Sequence, residues 1–217
     1  MDDDWFTEKE KRVVSLIEKC SPANKIVADL GAGPNSVVNT VQCSAKITVD
    51  FNPASSPDVV CDLDKQIDLP SASVDICVAS EVLEHLYHSV NFVREVGRVL
   101  RDDGYLIIVV PNICSLSYRL KFLRGELPLW AARADQTYQQ FGAIGAEGGH
   151  VRDYTFEELE SLLMANGFDV VERSYAHMPY TKKLKATFLN DLLPVTFAEK
   201  IVLRAQKRHG LNGSDGH

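Results

Sequence analysis

Two groups of residues in this chain have the types and spacing that chemistry requires. The first is the run Asp29-Leu30-Gly31-Ala32-Gly33-Pro34-Asn35-Ser36. Gly31 and Gly33 lack the Cβ that keeps a backbone away from a ligand, so the chain can turn sharply there and press its amides against a bound molecule. Pro34, with its pre-set φ, and Asn35, a residue that can cap, would open a helix whose N–H groups face the same site. A dinucleotide fingerprint wants a third glycine three positions after the second, and Ser36 stands there instead. Asp29 ends an apolar run, where a buried carboxylate is costly unless something pairs with it. A ligand carrying an ammonium group is a natural partner. The turn therefore favours an adenosyl cofactor other than a dinucleotide, against the plain alternative of a strand-to-helix turn with two glycines.

The second group is Glu81, Glu84, His85 and His88, with His150 further along. If a helical turn follows Ser80, the first four fall at i, i+3, i+4 and i+7 on one face. Carboxylates and imidazoles grouped in this way can take a proton from a nucleophile, worth about 10²- to 10⁴-fold, or hold a divalent ion with His150 as a further ligand. The alternative is a pair of acids favoured at a helix start by about 0.3 to 1 kcal/mol each, beside partly solvated histidines. His85 and His150 stand as candidate bases, and no metal ligand is assigned. Asp50 lies about 20 residues beyond the glycine turn, where doubly wound folds place an acid for ribose hydroxyls. Asp62 ends the next short strand and is a candidate acceptor for the exocyclic amine of an adenine, or a solvated turn residue.

These side chains need elements to hold them. Ile26 to Leu30, Lys46 to Asp50, Val59 to Asp62, Val74 to Ser80 and Tyr105 to Val110 are apolar runs of strand length. Helical segments alternate with them: Trp5 to Cys20 before the first, Ser36 to Cys43 after the glycine turn, and a segment capped by Ser89 that runs to Leu100. Asp102-Asp103-Gly104 is read as a turn into the fifth strand. Alternation of this kind implies a parallel sheet with right-handed crossovers. From Asn112 to His150 the rhythm breaks, with a helix around Leu116 to Leu123 and a glycine-rich loop at Gly142 to Gly149. An insertion there is expected to be a cap over an acceptor, with Tyr118, Phe122, Trp130, Tyr138 and Phe141 able to line it. Thr155 and Glu158 spell a capping box, Gly167 closes that helix, and Phe168 to Tyr175 is a strand. Lys182 to Leu193 reads as a helix and Ile201 to Ala205 as the last strand.

With 217 residues and 45 % hydrophobic content, the chain can bury a sizeable core. The expected organisation is one domain over 1–217, with an N-terminal helix in 1–22, the cap in 112–150 and a disordered tail at 210–217. A net charge of -7 argues against a protein devoted to gripping phosphate backbones. Five scattered cysteines form no Cys-x-x-Cys pair and are read as reduced core residues. The acidic start Met1-Asp2-Asp3-Asp4 is unlike a signal peptide, and no apolar run approaches the roughly 20 residues of a membrane span. A soluble, cytoplasmic protein with no membrane partner is the expectation; the oligomeric state is not legible.

Taken together, Asp29 to Gly33, Asp50, Val74 to His85, Leu100 to Ile107 and Thr155 through Phe168 resemble, in order and spacing, the successive motifs of class I S-adenosylmethionine-dependent methyltransferases, the type 11 and type 23 groups best. The resemblance covers about residues 25 to 206. It implies a Rossmann-like, doubly wound seven-stranded α/β sheet, mostly parallel with an antiparallel last strand. It implies S-adenosyl-L-methionine as cofactor, with Gly31, Ala32 and Gly33 against its methionine part and Asp29 on its ammonium. Asp50 would take the ribose, Asp62 and Leu63 the adenine, and Ser80 with Glu81 the methionine end. The Glu-x-x-Glu-His spacing is also similar to that of ubiquinone-pathway O-methyltransferases and small-RNA 3'-end 2'-O-methyltransferases. Where the family often has a third glycine, this chain has Asn35.

The implied activity is methyl transfer to a small-molecule or sugar-like acceptor, at oxygen. A metal-dependent methyltransferase of RNA ends, a non-catalytic binding protein that keeps the fold, and a nicotinamide oxidoreductase are the competing readings.

Overall fold

The computed structural model describes residues 7–127, 150–177 and 194–209. Its strands are β1 (Ile26–Leu30), β2 (Ala45–Asp50), β3 (Val59–Val60), β4 (Val74–Ser80), β5 (Leu100–Pro111), β6 (Phe168–Ala176) and β7 (Lys200–Lys207). Four α-helices accompany them: α1 (Glu8–Glu18), α2 (Ser89–Val99), α3 (Leu116–Leu123) and α4 (Phe156–Ala165). The strands form one sheet in the order β3-β2-β1-β4-β5-β7-β6. Pairing is parallel from β3 to β5, and β7 runs antiparallel between β5 and β6. This is the doubly wound, mostly parallel architecture that the motifs imply. The order reverses between β1 and β4, so the loops leaving their carboxyl ends diverge and open a crevice, the place where open α/β sheets bind ligands.

Side-chain alternation sends successive residues of each strand to opposite faces. Ala28, Leu30, Cys77, Ala79, Leu106 and Ile108 pack under α2 and α4, against Phe92, Val96 and Leu159. Val27, Ile76, Val78, Ile107 and Val109 pack on the other face against Val13, Leu16 and Ile17 of α1. Each of those three α1 side chains is fully buried, which contributes about 1.5–3 kcal/mol apiece and fixes α1 over the crevice. Alternation also puts Asp29 on the α1 face with Val27. At its start α1 carries a capping box, with the Thr7 N–H donating to Glu10 Oε2 at 3.0 Å. The same device opens α4, where the Glu158 N–H donates to Thr155 Oγ1 at 3.2 Å.

Several local expectations are corrected. Ser36 to Cys43 is not a helix with its amino end on the site; it holds only a short 3-10 turn, Val37–Thr40. Val37, Val38, Thr40 and Val41 are β-branched and weak helix formers, and the Ser36 hydroxyl is committed elsewhere. Ser89 does not cap α2: it is the first helical residue, with His88 in the cap position and no side-chain cap bond. Asp102-Asp103-Gly104 does not precede the fifth strand but lies inside β5, which begins at Leu100 opposite Val74 and breaks register between Val74 and Ile76. The irregularity absorbs the left-handed Asp103, at φ 61°. Strand β3 is two residues long, so Asp62 lies beyond it in a loop.

All five cysteines are free, and burial pushes up the thiols of Cys20, Cys61 and Cys77. No helix among the described residues is long and apolar enough to cross a membrane. Of the expected cap, α3 and the residues to Leu127 are described. Trp130, Tyr138, Phe141, the loop Gly142 to Gly149, the helix Lys182 to Leu193, the acidic start and the tail 210–217 lie outside the described residues.

Candidate functional site

The carboxyl ends of β1 and β4, roofed by α1, enclose a cavity of about 110 Å³ lined by Lys9, Glu10, Val13, Asp29, Gly31, Ala32, Asn35, Val37 and Ser80. Gly31 shapes it. Its φ is 79°, in the left-handed region where a side chain is strained, and a Cβ there would run into Cγ2 of the buried Val82. Gly33, at φ 55°, makes the second bend. The amides of this turn do not face the cavity as expected. Gly31 and Ala32 both donate to the Val49 carbonyl, at 2.7 and 3.1 Å, and Gly33 donates to Asp50 Oδ2 at 2.8 Å. The β1–β2 pairing continues past the strand end and satisfies these groups within the protein.

Asp29 is the buried charge of this site, 3 % exposed. One oxygen accepts from Ser36 Oγ at 2.5 Å, which is why that hydroxyl is not free to cap a helix. Burial pushes its carboxyl up to about 6; the Ser36 hydrogen bond works against this, the nearby Asp50 charge adds to it and Lys9 opposes it. Asp50, at the end of β2, is also buried. It accepts from Gly33 and, through Oδ1, from the Asn52 N–H at 2.8 Å. Asp62 is exposed, accepts from the Asp64 N–H at 3.0 Å and pairs with Lys65 at 3.2 Å. Asp62 thus caps its own turn, and Leu63 is buried in the core.

The second group assembles differently from its sequence spacing. Glu81 follows β4 at φ 60° and donates its N–H to Val109 O at 3.0 Å. Its Oε2 is ion-paired with Lys200 of β7, and its Oε1 is buried with no hydrogen-bond partner among the described residues. Only a short 3-10 turn, Leu83–His85, follows. Without an α-helical turn the shared face does not form, and His88 points away, exposed and 3.5 Å from Asp64. Glu84 and His85 do meet His150. The Glu84 carbonyl accepts from the Val151 N–H at 2.8 Å and the Arg152 N–H at 3.3 Å, which draws His150 in until its ring stands edge-on to His85 with centroids 5.4 Å apart.

One ligand atom from each of Glu84, His85 and His150 lies within 4.8 Å of the others. Glu84 is 1 % exposed, and neither of its oxygens has a hydrogen-bond partner among the described residues. Burial first, then the Glu81 charge, raises its carboxyl well above the ordinary value, and Lys200 and Lys9 oppose this. Burial of this kind disfavours the charged form of a carboxyl, and a cation placed beside it would favour that form. A carboxylate with two imidazoles is a donor set that suits a divalent ion such as zinc.

Sequence reading missed Lys9 and Lys200. Lys9 is one charge among many on a mixed helix, and Lys200 reaches Glu81 only because β7 inserts antiparallel beside β5.

A family described as a methyltransferase domain matches residues 6–173. A Mycobacterium tuberculosis protein named a probable S-adenosylmethionine-dependent methyltransferase is 28 % identical over 194 residues, 84 % of this chain and 62 % of its own length. This chain therefore spans about three fifths of the length of such relatives. The mouse mitochondrial ubiquinone biosynthesis O-methyltransferase is 33 % identical over 113 residues, 51 % of this chain and 27 % of its own. Among solved structures, the Burkholderia thailandensis 1,6-didemethyltoxoflavin-N1-methyltransferase, bound to 1,6-didemethyltoxoflavin and S-adenosylhomocysteine, superposes with a TM-score of 0.61 at 19 % identity, covering 95 % of this chain and 81 % of that one.

Proposed function

The chain belongs to the methyltransferase domain family, and from that premise we propose that it moves the methyl group of S-adenosylmethionine to a small-molecule or sugar-like acceptor, at oxygen. The observation that carries this reading is Asp29, a carboxylate buried in the cavity wall at the sheet's switch point with one hydroxyl as its hydrogen-bond partner. A fold keeps so costly a group where a cationic ligand will pair with it. The cofactor supplies an activated methyl and a good leaving group, so the protein has to align the acceptor and take its proton.

In this reading Gly31, Ala32 and Gly33 leave room for the methionine part, and Asp29 holds its ammonium. Asp50 uses two of its roughly four lone-pair sites on backbone amides and keeps the others for ribose hydroxyls. Asp62 and Leu63 border the adenine, and Ser80 and Glu81 flank the reacting end. His85 and His150, brought together at the β4 end, act as bases, the role in which histidine is most often used. Residues 112–150 form the cap that selects the acceptor, within a single cytoplasmic domain.

A second reading, in which a divalent cation is held by Glu84, His85 and His150, is favoured by the two buried Glu84 oxygens, which have no hydrogen-bond partner among the described residues, with Oε1 4.0 Å from His85 Nε2. The ion would orient the acceptor oxygen and lower its pKa. An RNA end is the weaker acceptor for such a site. Of the nearby basic group, Arg119 stacks on Phe197 at 4.7 Å and donates to the Cys114 carbonyl, and Arg124 pairs with Glu126 at 3.0 Å. The chain's net charge of -7 also counts against a phosphate-gripping role.

The test is mass spectrometry of candidate acceptors incubated with methyl-labelled cofactor. A gained label that His150→Ala abolishes supports the reading. Cofactor binding with no label transferred across a broad acceptor set would favour the non-catalytic protein.

A further inference from the structure

We propose that Lys9, in the first turn of α1, is the residue that recognises the α-carboxylate of the cofactor's amino-acid end, opposite Asp29 on its ammonium. The inference rests on the cofactor reading above and names the contacts of one part of that site. The cavity beneath α1 has about 110 Å³, well below the roughly 300–1,000 Å³ of pockets that enclose a whole drug-sized ligand. It is suited to the amino-acid head, with the nucleoside lying outside it toward Asp50.

A zwitterionic head needs a donor for its carboxylate as well as an acceptor for its ammonium. The usual donors in such a turn are backbone amides, and those of the two glycines and Ala32 are taken: Gly31 and Ala32 donate to Val49, and Gly33 to Asp50, which leaves the Asn35 end of the turn beside the cavity. Among the described residues that line the cavity, Lys9 is the one cation. Its ammonium is 3.2 Å from Glu10 Oε1, in an ion pair whose side chains are 24 % and 18 % exposed and which a ligand carboxylate can replace. Lys9 and Asp29 line the same cavity, so the ammonium of one and the carboxylate of the other face a ligand held there. Val13, Leu16 and Ile17 hold α1 rigidly against the sheet, so the position of Lys9 is set by core packing.

The experiment measures calorimetric affinity of the full chain for three probes: S-adenosylmethionine, its decarboxylated analogue, and 5'-methylthioadenosine, which lacks the amino-acid end. Wild type should prefer S-adenosylmethionine over the decarboxylated analogue by about tenfold or more, the size of one charge-assisted hydrogen bond. Lys9→Met should bring that preference to within about twofold, leave 5'-methylthioadenosine affinity unchanged, and be rescued by Lys9→Arg. A purely structural role in α1 would weaken all three probes together, and that result would overturn the inference. So would a wild type that binds S-adenosylmethionine and its decarboxylated analogue equally. Absence of binding of any probe to wild type would instead overturn the cofactor reading itself, and Lys9 with it.

Discussion

Replacing Asp29 with asparagine should stabilise the empty protein while removing its affinity for the cofactor. The carboxyl of Asp29 is raised from 3.8 to about 6, chiefly by burial. A raised carboxyl means that the folded chain binds this proton more tightly than the unfolded chain. The corresponding stability is present below about pH 4, is lost as pH rises through about 6, and stays lost above it. A shift of about two units at ~1.4 kcal/mol each amounts to about 3 kcal/mol at pH 7.5 and about 1 kcal/mol at pH 4.5. Asp29→Asn removes the charge and keeps an oxygen for the Ser36 hydroxyl. Thermal unfolding should therefore show the variant several degrees more stable at pH 7.5, at roughly 2–4 °C per kcal/mol for a domain of this size, with a much smaller difference at pH 4.5. Added S-adenosylhomocysteine should raise the melting temperature of wild type and not that of the variant. A variant no more stable than wild type at pH 7.5, or a difference independent of pH, would refute the idea that this carboxylate is held at a cost for a ligand.

Two further outcomes follow from the site. Gly31→Ala puts a Cβ against Val82 at a backbone angle that side chains resist, so it should lower stability by about 1–3 kcal/mol and abolish cofactor binding; unchanged calorimetric affinity would show that the turn does not approach the ligand. If Glu84, His85 and His150 hold a cation, zinc or manganese added to chelator-treated protein should raise its melting temperature, and Glu84→Gln with His150→Ala should lose that response. An identical response in the double variant would remove the metal reading.

The architecture was legible because apolar runs of strand length alternate with capped helices, and because Asp29, Gly31 and Gly33 carry their own backbone logic. The local geometry after each strand was less so. A 3.6-residue period placed Glu81, Glu84, His85 and His88 on one helical face, whereas the chain leaves β4 through a left-handed Glu81 and a single 3-10 turn. His150 still reaches His85, through a carbonyl of Glu84 that accepts two amides from a distant segment, a contact that no local pattern encodes. The amides of the glycine turn were expected to face a ligand because nothing in the sequence shows that the Val49 carbonyl overhangs them. The same tertiary neighbours brought Lys9 and Lys200 into the site: one arrives on a helix packed by Val13, Leu16 and Ile17, the other on a strand inserted antiparallel between β5 and β6.

The measurement that bears most directly on this account is isothermal calorimetry of S-adenosylhomocysteine with the wild-type chain and with Asp29→Asn. Saturable binding to wild type at sub-millimolar concentration, lost in the variant, is the predicted result. No heat of binding to wild type, or equal binding to both proteins, would contradict it.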